Sequence, residues 1–112
     1  MTSASVTLPT AIATYFDAGN SGDYDAFAAA FSEDALVHDE GEDRYGREAV
    51  KAWAKKSRES YNFTSVPNGI THNGNEVAVT ADVSGDFDGS PIVLTYEFTL
   101  DGNLISRLVI HD

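Results

Sequence analysis

The chain has 112 residues, no cysteine and a formal net charge of −11, from 18 acidic and 7 basic side chains. Its length fits one domain over residues 1–112, and its 42% of hydrophobic residues is typical of globular proteins. The lack of cysteine excludes disulfides and thiolate metal sites. The excess of acids argues against nucleic acid or anionic membrane as a partner, because both would be repelled.

The start of the chain, Met1–Ser5, has no basic stretch followed by a long apolar core, so we expect no signal peptide. No apolar run approaches the roughly 20 residues that span a bilayer. The expected location is therefore the cytoplasm.

Two helices are predicted in the first third of the chain. The first covers 8–20, with Pro9 in its first turn and Gly19-Asn20 as its stop. The second starts after the cap Asp23 and ends at 32–34. Its apolar residues follow the helical i, i+3, i+4, i+7 spacing. They are Tyr24, Phe27, Ala28 and Phe31.

A short strand and a third helix follow. In the strand, 35–39, Asp39 shares one side with Ala35 and Val37 because side chains alternate along a strand. A polar loop is predicted at 40–43, and the third helix at about 46–60. The apolar stripe of that helix contains Val50, Trp53, Ala54 and Ser57.

Six of the seven basic residues lie within 44–58. They could form a docking patch for an anionic partner, or simply the solvated face of the third helix. The second interpretation is favoured because that helix is amphipathic in any case.

The rest of the chain, 62–112, is predicted to be an antiparallel meander. Three Asx-Gly pairs, at 73–74, 88–89 and 101–102, are typical of tight hairpin turns between strands of about ten residues. Apolar residues alternate with polar ones at 76–83 and 92–100, which indicates a sheet with one apolar face. Segment 67–69 and Gly85 are expected to bulge or bend their strands. The predicted order is α-α-β-α-β-β-β-β, an α+β roll.

This order, together with four short segments, resembles the NTF2-like superfamily, and within it the SnoaL-like and ketosteroid-isomerase-like branch. The segments are Leu8-Pro9-Thr10, Ala13-Thr14-Tyr15, 34–39 and 45–48. The resemblance implies a cone-shaped roll in which three N-terminal helices pack on a curved, mainly antiparallel sheet. It also implies an apolar pocket at the open end and a homodimer formed through the sheet. We further expect a small apolar molecule as ligand and no cofactor.

In ketosteroid isomerases, an aspartate moves a proton and a tyrosine on the first helix binds the enolate oxygen. The resemblance places these roles at Asp39 and Tyr15. The second acid of those enzymes falls on Phe98, or on Leu94 if the gap is placed earlier. Two supporting tyrosines fall on Phe31 and Ala54. Steroid isomerisation is therefore not carried over to this chain.

Each of the two candidate catalytic residues has an ordinary structural interpretation as well. At the rim of an apolar cavity, desolvation would raise the proton affinity of Asp39 and suit it to acid–base work. Asp39 could instead end its strand with a local turn hydrogen bond. Tyr15 could donate to a ligand oxygen, or could be a core tyrosine whose hydroxyl reaches the surface or a backbone carbonyl.

Further residues are expected to contact a ligand, although aromatic residues at these spacings are equally typical of a plain core. The candidates are Phe16, Phe27, Phe31, Val37, Trp53, Val83, Tyr96, Phe98, Arg107 and His111. Arg107 and His111 are included because the resemblance puts their strand side in the pocket. His38, His72 and His111 lack a metal-ligand spacing, so we expect no metal site.

Three functions remain open. The chain could be a proton-transfer enzyme, such as an isomerase, cyclase or dehydratase, that acts on an apolar carbonyl compound through Asp39 and Tyr15. It could be a non-catalytic domain that binds a small apolar molecule, which the apolar Phe31, Ala54 and Phe98 favour. It could also be an interaction module that pairs through its sheet, although polar residues on that face make a purely hydrophobic contact less favourable.

Overall fold

The computed structural model describes residues 8–39 and 41–111, so the predictions for Met1–Ser5, Glu40 and Asp112 lie outside the described residues. In chain order, the elements are α1 Thr10–Ser21, α2 Tyr24–Ala29, β1 Phe31–Asp39, β2 Glu42–Tyr45, α3 Arg47–Tyr61, β3 Thr64–Asn73, β4 Glu76–Ser84, β5 Ile92–Asp101 and β6 Leu104–His111. Three helices pack on one curved sheet, which confirms the predicted α+β class.

The six strands lie in the order β2-β1-β6-β5-β4-β3. All neighbours are antiparallel except β1 and β6, which run parallel, so the sheet is mainly antiparallel as predicted. The sheet is curved. Its outermost strands, β2 and β3, do not pair with each other, so it does not close into a barrel.

The inner face of the sheet, on which the helices pack, carries the alternating apolar residues. In β4, Val77, Val79 and Ala81 are buried while the residues between them are more exposed. Opposite them in β5, Tyr96 and Phe98 are buried as well. The period of two therefore predicted the inner face correctly in both strands.

Aromatic rings fill the interior next to α1. The Tyr15 ring lies 4.9 Å from Phe16, 4.8 Å from Phe27 and 5.3 Å from Phe98 between ring centroids. Such edge-to-face and tilted pairs add to the free energy of burial. This part of the roll is densely packed.

The helix and strand bounds correct several predictions. The helix α1 continues through Gly19-Asn20 to Ser21 and stops at Gly22, which has a positive φ of 80°. The helix α2 ends at Ala29 rather than at 32–34, because the chain already pairs with β6 from Phe31 onwards. The strand β1 therefore begins at Phe31 rather than at Ala35.

The predicted loop at 40–43 was wrong for Glu42 and Asp43, which belong to β2. This strand pairs with β1 from Asp39 opposite Glu42 to Leu36 opposite Tyr45. Pairing uses backbone groups alone, and β2 is an exposed edge strand, so its side chains carry no apolar alternation.

The three predicted turns differ from one another in the structure. Asn73 pairs with Glu76 and Asp101 pairs with Leu104, so the two-residue loops are 74–75 and 102–103, each starting with a glycine of positive φ. The third connection is longer, because Val83 pairs with Ile92 and the loop covers 85–91. Asp88-Gly89 lies inside this loop rather than forming a two-residue turn.

The predicted bulge at 67–69 is confirmed, whereas the predicted bend at Gly85 is not. The pairing of β3 with β4 shifts between Pro67 and Gly69, which is the expected bulge. Gly85 does not bend a strand. It is the first residue of the 85–91 loop and lies directly against the backbone near Phe63.

Arginine and asparagine side chains on the helices form hydrogen bonds with the backbone of neighbouring segments. Arg47 donates to the Phe31 carbonyl at 2.7 Å, and Arg58 donates to the Gly19 and Phe63 carbonyls at 2.8 and 3.0 Å. The Asn20 amide exchanges two hydrogen bonds with the backbone of Ser65. Arg47 and Arg58, which belong to the basic residues within 44–58, therefore stabilise the fold.

No helix within residues 8–39 and 41–111 is long and apolar enough to cross a membrane. The cytoplasmic location and the homodimer stay predictions.

The close approach at Gly85 predicts a large effect for a single methyl group. A Cβ there would lie 2.7 Å from both the Phe63 Cα and the Tyr61 carbonyl oxygen, so backbone must move. We expect Gly85→Ala to lower the free energy of unfolding by about 1–3 kcal/mol in urea denaturation. Gly19→Ala is the control, because its Cβ would meet only the Phe27 ring at 3.6 Å. Equal stability of the Gly85→Ala variant and the parent would contradict the packing described here.

Candidate functional site

A cavity of about 990 Å³ lies between α3, the inner face of the sheet and the 85–91 loop. Its volume falls in the upper range of small-molecule sites. Helix residues such as Trp53, strand residues such as Leu94 and the loop residue Phe87 all contribute to its wall. The interior is therefore divided between the packed aromatic region beside α1 and this open space.

Asp39 lies at the end of β1 and lines the cavity. The Trp53 indole Nε1–H donates to the Asp39 carboxylate at 3.3 Å, and Arg44 donates to the Asp39 backbone carbonyl at 3.0 Å. The indole N–H therefore holds the carboxylate against α3. Asp39 is thus the last residue of its strand and lines the cavity, and its catalytic role stays a prediction.

Tyr15 is buried and lines the same cavity. Only 7% of the residue is exposed, and within residues 8–39 and 41–111 its hydroxyl makes no hydrogen bond. Burial raises the pKa of Tyr15 well above its usual value, and the neighbouring Tyr96 and Asp39 raise it further. Tyr15 therefore keeps its proton at neutral pH and can act as a donor.

Tyr96 is a second buried tyrosine in the wall of this cavity. It is 3% exposed, and its hydroxyl oxygen lies 3.2 Å from that of the buried Ser65. Burial raises the pKa of Tyr96, the Ser65 hydrogen bond opposes this effect, and the charge of Asp39 adds to it. Tyr96 is accordingly also protonated at neutral pH.

The structure places the predicted ligand contacts in three different environments. Lining the large cavity with Asp39 and Tyr15 are Trp53, Val83, Tyr96 and His111. A separate cavity of about 30 Å³ is lined by Phe16 and Phe27. Three residues are core residues that line neither cavity, namely Phe31, Val37 and Phe98.

Arg107 requires a correction, because it lies exposed and outside the cavity. The pairing of β5 with β6 shifts between Leu100–Ile105 and Thr99–Arg107, which bulges the intervening residue, Ser106. Beyond this bulge, Leu108 pairs with Phe98 and shares its inner face. Arg107 consequently faces away from the helices.

The histidines contact carboxylates near the cavity rim. His111 bonds to Glu97, and His38 bonds to Asp43 on the neighbouring strand β2. Within the described ranges, no three histidine, aspartate or glutamate side chains converge in the manner of metal ligands.

Several wall residues escaped the sequence analysis. Leu94 and Ile92 could have been found, since they alternate in phase with Tyr96 on the inner face. Phe87 and Tyr61 gave no such signal. Their rings meet edge to face at 6.1 Å, where the 85–91 loop reaches the end of α3. That contact forms only when the 85–91 loop packs against the end of α3, so no local sequence pattern predicts it.

The raised pKa of Tyr15 predicts a loss of stability in alkali. The unfolded chain releases this proton near the usual tyrosine pKa of about 10, whereas the folded protein holds it to higher pH. The contribution is therefore complete below about pH 10 and declines above it, by at most about 1.4 kcal/mol per pH unit.

In urea denaturation at a series of alkaline pH values, the free energy of unfolding should fall less steeply for Tyr15→Phe than for the parent. Tyr45→Phe removes a hydroxyl from a residue that is 68% exposed and should keep the parent's slope. Parallel curves for Tyr15→Phe and the parent would show that Tyr15 has no such linkage.

Comparison with known proteins places this geometry in a family. Residues 12–107 match the SnoaL-like domain. A protein from Sinorhizobium meliloti, provisionally named a polyketide cyclase, is 38% identical, with 93% of this chain and 95% of that chain covered and a TM-score of 0.91. The search of curated proteins found no match.

More distant structures share the fold alone. A protein from Catenulispora acidiphila with a ketosteroid isomerase-like fold, crystallised with trimethylamine, is 18% identical over 95% of this chain and 87% of its own, with a TM-score of 0.84. A protein from Xanthomonas campestris, also provisionally named a polyketide cyclase, is 24% identical over 92% and 87%, with a TM-score of 0.77. The match over 12–107 and the 38% identity establish that this chain belongs to the SnoaL-like family.

Proposed function

We propose that this protein is a proton-transfer catalyst that acts without a cofactor on a small apolar carbonyl compound. One observation carries the proposal. Asp39, whose carboxylate accepts a hydrogen bond from the Trp53 indole, and the buried Tyr15 line the same cavity of about 990 Å³. A base and a hydrogen-bond donor in one partly apolar cavity are the groups that enolisation of a carbonyl compound needs.

The reaction begins with proton abstraction from the carbon next to the carbonyl group. The Asp39 carboxylate takes this proton, the electron pair of the C–H bond forms the C=C bond, and the carbonyl π electrons move to oxygen. Tyr15 donates a hydrogen bond to the resulting enolate oxygen. Asp39 then returns the proton to carbon or to another acceptor on the same substrate, which restores the carboxylate.

The name of the 38% identical relative agrees with this chemistry. Cyclisation of a chain that carries several carbonyl groups starts with the same step, because a carbon next to one carbonyl must lose a proton before it attacks another. We therefore propose an isomerisation or a cyclisation of a carbonyl compound as the reaction type.

A non-catalytic binding domain is the second candidate. Phe98 occupies the position at which the resemblance placed a second acid, and it is a core residue only 1% exposed. That position supplies no polar group to the cavity. A domain that only holds an apolar ligand would need none.

The two candidates differ in the behaviour of Asp39 variants. We expect the parent to accelerate deuterium uptake by 2-tetralone from D2O, followed by proton NMR. Asp39→Asn should reduce this acceleration by about 10²–10⁴-fold, because it removes the general base. Asp17→Asn is the matched control, since Asp17 is an exposed carboxylate on α1, and it should exchange like the parent.

Circular dichroism would establish that each variant is folded. Equal acceleration by Asp39→Asn and the parent would rule out Asp39 as the base. Binding of 2-tetralone by the parent without any acceleration of exchange would favour the binding domain instead.

A further inference from the structure

We infer that Tyr96, supported by Ser65, is a second donor to the same ligand oxygen as Tyr15. The site would then recognise a ligand with one strongly accepting oxygen, either a carbonyl oxygen or an enolate oxygen. This inference rests on the proposed function, because it assigns the chemistry of the ligand bound beside Asp39.

The position of Tyr96 supports this role. It lies in the middle of β5 on the inner face, and it lines the same cavity as Tyr15 and Asp39. The rings of Tyr15 and Tyr96 are 5.9 Å apart between centroids and inclined at 66°. The two phenol rings are therefore in edge-to-face contact in the wall of one cavity.

The contact with Ser65 leaves Tyr96 able to donate to a ligand. Asn20 occupies both the backbone N–H and the backbone carbonyl of Ser65, which fixes this residue on β3. Its side-chain hydroxyl is buried 3.2 Å from that of Tyr96. When Ser65 donates to the Tyr96 oxygen, the Tyr96 proton remains available to a ligand, because a phenol both accepts and donates.

The protonation state of Tyr15 and Tyr96 supports their role as donors. Burial raises the pKa of both tyrosines, so both carry the proton that they would donate at neutral pH. Within the described part of the chain, the Tyr15 hydroxyl has no hydrogen-bond partner although the residue is 93% buried. A buried donor of this kind costs free energy unless a ligand or water satisfies it.

Binding of 4-nitrophenol to an Asp39→Asn variant tests the inference. This variant removes a negative charge that would repel the phenolate, and it makes the result independent of proton transfer by Asp39. Visible absorbance distinguishes bound phenolate from bound phenol. We expect Asp39→Asn to bind the probe with a raised phenolate fraction relative to free solution at the same pH.

Adding Tyr96→Phe should weaken binding at least about tenfold and lower the phenolate fraction, since one donor to a charged oxygen is lost. Adding Ser65→Ala should change both quantities in the same direction by less. Tyr45→Phe, in an exposed residue of β2 outside the cavity, is the control and should change neither.

The inference is overturned if Tyr96→Phe behaves like Tyr45→Phe, or if the Asp39→Asn protein does not bind 4-nitrophenol. It is also overturned if Tyr96→Phe weakens binding but leaves the phenolate fraction unchanged, since that pattern indicates a structural role. Deuterium exchange of 2-tetralone reports separately on Asp39. The failure of one proposal can therefore be distinguished from the failure of the other.

Discussion

The hydrogen bond from the Trp53 indole to the Asp39 carboxylate joins the middle of α3 to the end of β1. The candidate site depends on it, because it holds the Asp39 carboxylate against a side chain of the cavity wall. Arg44 reinforces the same strand end through the Asp39 backbone carbonyl. The end of β1 is thus held from both α3 and β2.

The cavity lies between α3, the curved sheet and the 85–91 loop. Beside α1, the aromatic rings of Tyr15, Phe16 and Phe98 fill the space between the layers. Farther along, the wall carries smaller side chains such as Val83 and Leu94, and a volume of about 990 Å³ remains open. Tyr15 and Tyr96 lie at the boundary, packed on one side and facing the cavity on the other.

Those parts of the fold that depend on burial could be predicted from the sequence, and those that depend on backbone pairing could not. Alternation in β4 and β5 identified the inner face because one side of these strands excludes water. The edge strand β2 has no buried side, so Glu42 and Asp43 looked like a loop. One bulged residue, Ser106, was enough to move Arg107 to the opposite face.

The candidate site, like the fold, could be predicted only in part. Asp39 and Tyr15 could be located because the resemblance assigned them positions, and the structure places both at one cavity. The Ser65–Tyr96 pair joins residues 31 positions apart, and the Trp53–Asp39 pair joins residues 14 apart on different elements. No local pattern predicts such contacts, since they arise only when α3 and the sheet come together.

The central claim is that a small carbonyl compound binds against the Trp53–Asp39 pair. Trp53 is the only tryptophan, so its indole N–H gives one identifiable signal in a ¹H–¹⁵N NMR spectrum. On titration with 2-tetralone, we expect this signal to shift together with the amides of Tyr96 and Ile110, while that of the exposed Val93 stays in place. An unmoved indole signal, with shifts confined to Val93 and its neighbours, would contradict the account.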